Sequence, residues 1–376
     1  PMNSERILYP LTDPQYQIWL SHESCPDRAL FTESALVSFP AETAPSFLCE
    51  KLNRLVEETE VLRIRLCLGE DGPAQYDGGY RPFFCHPFPL ESEEELAAQF
   101  DAASREPFSL YGGPLFRCRI YSAPERQAVL LQAHHLITDG YGFAAVCDRF
   151  VKLCAGETPP PFSSFLGLCG KQQPAGEREL AESRAFWMEY LDGADFGAAP
   201  HPLPPELDYR IQWASFPLKE GLAQSLRSFL QRERVSAFCA FFAACAVYLS
   251  RVLSSQDVTI LVPRLNRDTE ESRRASGMFT AVVPVRVQVQ PGLSFGELCR
   301  RVQAESRAAA CHKNYSLSRI LSDLQQEKAA GSQISYFTLS FLGGAPQPAG
   351  KVLALETHLG GAMVNLASFV VIDSTG

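Results

Sequence analysis

The run Ala128-Val129-Leu130-Leu131-Gln132-Ala133-His134-His135-Leu136-Ile137-Thr138-Asp139-Gly140 decides how the surrounding chain is read. Its first six residues are apolar and partly β-branched, and they follow the polar break Pro124-Glu125-Arg126-Gln127, which is the pattern of a buried strand. Beyond Gly140, Phe143, Val146, Phe150 and Leu153 recur at spacings of three and four, so a helix with one apolar face follows. Two imidazoles and a carboxylate therefore stand at a strand-to-helix turn, where a rigid scaffold can present side chains to a cleft. Histidine moves protons near neutral pH, and a neighbouring carboxylate can orient it or hold its loop. The same spacing also fits two satisfied polar residues at a strand end, with Asp139 as the N-cap of a helix beginning near Tyr141. A metal site is a third possibility, against which stand only seven histidines in the chain and no Cys-x-x-Cys or His-x-x-x-His nearby.

Outward from this run the elements alternate. Thr12-Asp13-Pro14-Gln15 has the form of a capping box that starts a helix. Strands are expected at 35–39, 62–68, 115–121 and 129–133, with helices at 45–58 and 93–103, a mixture that favours an α/β layered sandwich. The segment 156–176 carries Pro159-Pro160-Pro161, Ser163-Ser164 and Pro174, breaks the periodicity, and reads as a linker. After it come a helix at 177–191, a Pro-rich loop at 201–205 and a strand near 209–216. Helices at 218–231 and 236–253, strands at 258–262 and 282–289, helices at 294–311 and 316–326, and strands at 335–341 and 367–372 complete the pattern. A chain of 376 residues exceeds what one core comfortably holds, so two lobes are expected, 1–170 and 171–376.

Composition narrows the function classes. Net charge is −9 and no basic run occurs, so nucleic acid is not an expected partner. The longest apolar stretch, 235–249, includes Ser236 and is too short to span a bilayer, and no signal peptide precedes the first strand. Twelve cysteines are scattered without pairing motifs, and Cys67, Cys239 and Cys245 lie in apolar stretches, as buried reduced thiols of a cytoplasmic protein would. No Gly-x-x-x-x-Gly-Lys loop marks a nucleotide site.

The string from His134 to Gly140 matches a His-His-x-x-x-Asp-Gly signature, and through it the chain resembles condensation domains of nonribosomal peptide synthetases, within the superfamily of chloramphenicol acetyltransferase. Tyr9-Pro10-Leu11-Thr12, leading to Pro14-Gln15 and Ile18-Trp19-Leu20, is similar to the family's first motif. Glu60-Val61-Leu62-Arg63-Ile64-Arg65-Leu66 resembles the second, and Phe186-Trp187-Met188-Glu189-Tyr190-Leu191-Asp192-Gly193 the helix that opens the second lobe. Pro263-Arg264-Leu265-Asn266-Arg267 with the run from Gly277 to Arg286 resembles the fifth motif, and His312-Lys313-Asn314-Tyr315-Ser316 loosely the sixth. The departures are Gly142 and Ala281, where the family often has serine and asparagine, and a sixth motif without its proline. The chain stops at Gly376, where the resemblance implies some tens of further residues, so the end of the second lobe is expected to be absent. Met2 follows a lone Pro1 and the first motif begins soon after, an expectation that the domain opens its parent protein and N-acylates with a fatty acyl group or a peptide from another subunit.

The resemblance implies two chloramphenicol-acetyltransferase-like α/β sandwich lobes in a V-shaped pseudo-dimer, with the histidine loop at their junction and a tunnel between two faces. It implies amide formation between an acyl or peptidyl thioester and an aminoacyl thioester, each on the phosphopantetheine arm of a carrier protein, with an adenylation domain adjacent. The domain is expected to be monomeric and to bind no cofactor or metal directly, an acyl-CoA donor being the alternative to a carrier. His135 is the candidate general base or hydrogen-bonding partner of the amine. His134 is either a second catalytic histidine or a strand-end ring bonded to backbone. Asp139 is expected to hold the loop through a salt bridge to Arg63. Gly140 is expected to permit a backbone conformation or close approach that a Cβ would block, letting the pantetheine arm pass. Tyr141, Gly142, Met278, Thr280 and Arg286 are expected at the tunnel, although Tyr141 can equally begin the helix and Arg286 can equally be an exposed edge charge. Arg264, Arg267, Arg273 and Arg274, beside Asp268, Glu270 and Glu271, read as a solvated mixed-charge loop or as a floor loop that touches a carrier. Two other classes share these features: an acyltransferase using acyl-CoA and a free acceptor, and a non-catalytic recruiting domain, against which the intact motif counts. An aspartate-based cyclisation motif is lacking.

Overall fold

Eight of the nine residues of the Thr32–Pro40 strand are buried, which requires cover on both faces. The computed structural model, which describes residues 7–70, 72–171, 176–194, 214, 216–328, 337–343, 352–358 and 367–373, provides it. That strand lies between Ala354–His358 and Arg126–His134 in a five-stranded sheet completed by Phe116–Ser122 and Pro87–Pro89. The pairs are antiparallel except the last, where Pro87–Pro89 runs parallel to its neighbour. Strand periodicity sends Leu36 and Leu130 to one face, against Leu96, Phe100 and Ala103 of the Glu93–Ser104 helix. Phe39 points to the other face and meets Phe150 of the Gly140–Cys154 helix, ring centroids 6.1 Å apart. The Pro45–Glu58 helix packs beside that helix and buries Leu48, Leu52 and Leu55. Truncating any one of these fully buried side chains to alanine would cost about 2–5 kcal/mol.

A three-stranded antiparallel sheet has Gly72–Asp77 at its centre, paired with Tyr9–Pro10 on one side and Ile64–Gly69 on the other. Gly72–Asp77 is rich in Gly, Pro and Ala and lacks β-branched residues, so strand propensity does not announce it.

The chain divides into two compact units. The first comprises Pro1–Gln173, Leu265–Thr280 and Gly344–Met363, and the second Pro174–Arg264, Ala281–Gly343 and Val364–Gly376. A single cut at 170/171 misses the two later segments that return to the first unit, because position along the chain does not register where a long loop packs. The expected 156–176 linker also needs correction: it contains the Phe165–Lys171 helix, whose Phe165 and Leu166 are buried. Glu60 accepts from the Leu166 amide (2.9 Å) and from the Ser164 hydroxyl (2.8 Å), anchoring that helix start. Residues 172–175 of the segment lie outside the described residues, as do the Pro-rich loop at 201–205, nearly all of the strand expected at 209–216, and residues 335–336 of the strand expected at 335–341.

In the second unit a four-stranded sheet has the order Ala367–Asp373, Phe337–Gly343, Asp257–Arg264, Ala281–Gln288. Its last pair is antiparallel and the others parallel. The helices Ala237–Val252 and Phe295–Cys311 pack against it, started by Ser236 and Ser294 as N-caps. Trp187 is fully buried and donates its indole N–H to the His312 carbonyl, at 3.2 Å. Among the described residues no single helix is long and apolar enough to cross a membrane, and all twelve cysteines are free.

Candidate active site

The strand ends at His134, and the chain turns before entering the Gly140–Cys154 helix. The turn is pinned from several sides. The His134 amide donates to the Leu115 carbonyl and the His135 amide to that of Phe31, both at 2.8 Å. Gln15, the reciprocal member of the Thr12 capping box, donates its side-chain amide to the Leu136 carbonyl at 3.1 Å. It also exchanges hydrogen bonds with Gln75 at 2.7 and 2.8 Å. A local helix-start signal therefore serves the loop that carries the chemistry.

The two histidines are differently employed. His134 has no exposed surface, and its Nδ1 accepts from the Leu136 amide at 3.0 Å. Its Nε2 must then carry the proton and donate to His22 Nδ1, also at 3.0 Å. Burial lowers the pKa of both rings, His22 to about 4, so both are neutral at neutral pH. With both nitrogens engaged by protein, His134 has none to offer a substrate, which corrects its placement among the catalytic residues.

His135 keeps one nitrogen. Its Nδ1 lies 2.7 Å from the Thr138 carbonyl oxygen, which can only accept, so Nδ1 holds the proton and Nε2 holds the lone pair. Burial depresses its pKa, opposed in part by the Thr138 carbonyl and the Asp139 charge. The side chain retains 15 % of its surface. The result is a neutral, oriented imidazole whose Nε2 has no hydrogen-bond partner among the described residues.

Asp139 caps the helix by accepting from the Gly142 amide at 2.8 Å on Oδ1. It is only 1 % exposed, and Arg267 meets it with a bidentate pair, Nη1 to Oδ2 at 2.7 Å and Nη2 to Oδ1 at 2.9 Å. Oδ2 also accepts from the amides of Phe279 and Thr280, at 3.0 and 3.1 Å, and from the Thr280 hydroxyl at 2.9 Å. The guanidinium of Arg267 lies between the rings of Tyr141 and Phe279, 4.6 and 4.5 Å from their centroids. Arg63 is not the partner. Its guanidinium grips Asp77 at 3.1 and 2.8 Å and donates to the Val56 and Glu57 carbonyls, closing the Pro45–Glu58 helix. The solvated-loop reading of Arg267 fails for the same reason: the residue is 6 % exposed.

Glu33 escaped the sequence reading, since Thr32-Glu33-Ser34 looks polar and the strand was expected to begin at 35. In the sheet Glu33 pairs with Ala133, one residue before His134. It is 2 % exposed; its Oε1 stands 3.6 Å from His135 Nδ1, too far for a hydrogen bond, and its Oε2 has no partner among the described residues. Burial, reinforced by the Asp139 charge, pushes its pKa well above the ordinary carboxyl range. The protonated form of this carboxyl beside the imidazole is thereby favoured.

The remaining expected residues separate. Gly140 has open space where a Cβ would sit, so no part of the described protein demands glycine there. Gly142 packs against backbone: an added Cβ would lie 2.7 Å from Thr138 Oγ1 and 2.9 Å from the Gly277 nitrogen. Gly277 is equally confined, since its Cβ would approach Phe165 to 2.2 Å. Gly142 is thus a packing residue here, and Thr280 is a partner of Asp139. Tyr141 lies in the helix's first turn, 44 % exposed, and Met278 is buried in the same unit at 4 %. Arg286, in the second unit, binds Asp257 with three hydrogen bonds of 2.6 to 3.1 Å and donates to the carbonyls of Tyr190 and Asp192. That makes it a strand-to-strand tie. Among the described residues no three His, Cys, Asp or Glu side chains converge as a metal site requires.

A family model of the condensation domain matches residues 5–341. Surfactin synthase subunit 1 of Bacillus subtilis (strain 168) is 25 % identical over 352 residues, covering 89 % of this chain and 10 % of that protein. Phosphinothricin tripeptide synthetase of Streptomyces viridochromogenes is 25 % identical over 344 residues, 85 % of this chain and 31 % of that protein. The chain therefore spans about a tenth to a third of these relatives' length. Among solved structures, the first condensation domain of the calcium-dependent antibiotic synthetase, in complex with a substrate analogue, superimposes with a TM-score of 0.82 at 19 % identity, covering 98 % of this chain and 88 % of that one. The starter condensation domain of rhizomide synthetase, in complex with C8-CoA and Leu-SNAC, gives 0.78 at 22 % identity, covering 94 % and 83 %. With the family's model matched over nearly the whole length and its fold reproduced around a pinned histidine loop, the chain belongs to the condensation-domain family.

Proposed function

We propose that this chain forms an amide bond between an acyl or peptidyl thioester and the amine of an aminoacyl thioester, both presented on phosphopantetheine arms of carrier proteins. The observation that carries this reading is the lone pair on His135 Nε2, unengaged among the described residues and fixed in one tautomer by the Thr138 carbonyl at Nδ1. The neutral amine nitrogen attacks the thioester carbonyl as Nε2 accepts its proton; the C–N bond forms, the C–S bond breaks, and the imidazolium returns the proton to the departing sulfur. General acid-base assistance of this kind contributes about 10²–10⁴-fold, and holding two tethered reactants together contributes further orders. Because burial lowers the His135 pKa, the ring stays unprotonated at neutral pH, and turnover is expected to fall only as acid titrates it.

Within this reading the donor is a fatty acyl thioester and the domain N-acylates the first amino acid of a product. A starter condensation domain of similar fold was solved with C8-CoA, which supports that choice. Mass spectrometry of product formed from an aminoacylated carrier and a panel of acyl-CoA, acyl-carrier and peptidyl-carrier donors tests both levels. His135→Ala should lower product by about 10²-fold or more; equal product from both proteins would refute the catalytic assignment, and transfer from peptidyl donors alone would sink the N-acylating one.

A further inference from the structure

The edge of the five-stranded sheet in the first unit is held by few ladder bonds. All three residues of Pro87–Pro89 are exposed, and the prolines have no N–H to give, so Phe88 alone can donate. The approach to that edge is held instead by Asn53 of the Pro45–Glu58 helix. Asn53 accepts from the Phe83 amide at 2.9 Å and the Tyr80 hydroxyl at 3.0 Å, and it donates to the Phe83 carbonyl at 2.8 Å. This pinned backbone delivers Cys85 to the sheet. The register of Pro87 with Ile120 and Phe88 with Tyr121, carried back along both strands, sets Cys85 opposite Cys118. Their sulfurs are 3.8 Å apart, and both residues are half-buried. A third sulfur, that of buried Cys49, accepts from the Cys85 amide at 3.3 Å.

Neighbouring strands run about 4.8 Å apart, within the Cα separation that a disulfide spans, so closing the sulfurs to about 2.05 Å asks for side-chain rotation and not strand movement. The two thiols also differ in acidity. The hydrogen bond with Cys118 lowers the Cys85 pKa, burial opposes it, and Cys49 lowers it further; the same bond and burial push Cys118 well up. Cys85 is therefore the attacking thiolate. Elsewhere burial drives Cys154 and Cys169 up to about 12 and Cys245 and Cys299 to about 11, which keeps those thiols protonated near neutral pH. An accessible thiolate beside a second thiol is where oxidation becomes selective. We propose that Cys85 and Cys118 are an oxidation site, at which hydrogen peroxide closes a disulfide that staples the Pro87–Pro89 edge to the sheet. The Cys85 thiolate attacks one peroxide oxygen; the S–O bond of a sulfenic acid forms, the O–O bond breaks, and hydroxide leaves to take up the proton that Cys85 released. The Cys118 sulfur then attacks the sulfenic sulfur; the S–S bond forms, the S–O bond breaks, and the Cys118 proton departs in water. Both sulfurs are oxidised, and the peroxide is reduced to water.

Titration of the chain with hydrogen peroxide, followed by alkylation in denaturant and mass spectrometry of the unreduced peptides, tests it. Peptides linked through Cys85 and Cys118 should appear, with the thermal midpoint raised by on the order of 5 °C and restored by dithiothreitol. Cys85 should react at least about tenfold faster than Cys154 or Cys169. C118S should stop at the sulfenic acid, trapped on Cys85 by dimedone, with no rise in midpoint. C85S should show neither linkage nor rise. Serine is close to cysteine in size and both positions are half-buried, so a midpoint before oxidation equal to the parent's certifies each variant. Should C85S not fold, the dimedone adduct of C118S decides alone. Linkage of Cys85 to Cys49, an adduct of C118S that forms at another cysteine in preference to Cys85, or a full midpoint rise in oxidised C85S overturns the proposal. None of these readouts uses turnover, so the oxidation site and the transfer chemistry stand or fall separately.

Discussion

Asp139 in the histidine loop of the first unit is a buried charge and Arg264 in the second unit a half-buried one, and the chain treats them in opposite ways. Asp139 accepts six hydrogen bonds, two of them from a single guanidinium, and leaves no lone pair for a ligand. Arg264 has one occupied nitrogen and, among the described residues, one without a partner and no acid paired with it. A charge saturated by its own chain is architecture; a charge left short of partners carries a desolvation cost. Glu33 is a third outcome, a buried carboxyl whose Oε2 has no partner among the described residues and whose burial favours the protonated form.

The contrast breaks most visibly at Asp139. Asp139→Ala strands the Arg267 charge inside the protein and should cost about 3–5 kcal/mol, seen as lost soluble yield and a lowered thermal midpoint as well as lost turnover. A fully folded variant that merely slowed would show that the pair is not structural. Acid attacks the same unit through His22. Its folded pKa, about 4, lies below the unfolded value of 6.5, so the unfolded chain takes up the proton first. Stability from the neutral ring is complete above pH 6.5 and is lost as pH falls towards 4, by about 3 kcal/mol, and His22→Phe should flatten that stretch of the curve. Glu33 carries the opposite sign. Its pKa is raised on folding, so it weakens the fold as pH rises above the ordinary carboxyl range, and Glu33→Gln should gain stability at pH 7.5 and gain less at pH 5 in denaturant titrations. No gain at pH 7.5 would mean that the carboxyl has a partner in solution. Arg63 gives the smallest effect: Arg63→Ala should cost about 1 kcal/mol, and a double-mutant cycle should find no coupling between Arg63 and Asp139.

What the sequence made legible was local. The Thr12-to-Gln15 capping box, Asp139 as N-cap and the apolar stripe from Phe143 to Leu153 are written within one or two turns of chain, and each formed where expected. What it concealed was distant. Arg267 sits 128 residues from Asp139, in a run of mixed charges that locally resembles a solvated loop. Glu33 reads as a polar residue before a strand until the sheet register sets it beside His135. The family resemblance supplied the idea that Asp139 needs an arginine, but only packing could choose which. The Phe165–Lys171 helix was hidden by its Pro- and Ser-rich approach, because its stability comes from Phe165 beneath Gly277 and not from propensity.

The contact between Gly142 and Gly277 also bears on how such domains can be recombined. A side chain at Gly142 would meet the Gly277 backbone at 2.9 Å, and one at Gly277 would meet the Phe165 ring at 2.2 Å, so the histidine helix and the 265–280 segment form a matched lock and ward. A chimera that grafts either part from a relative bearing serine at 142 would carry a mismatched key. Breakpoints that keep both parts from one parent should yield foldable hybrids, and those that fall between them should not.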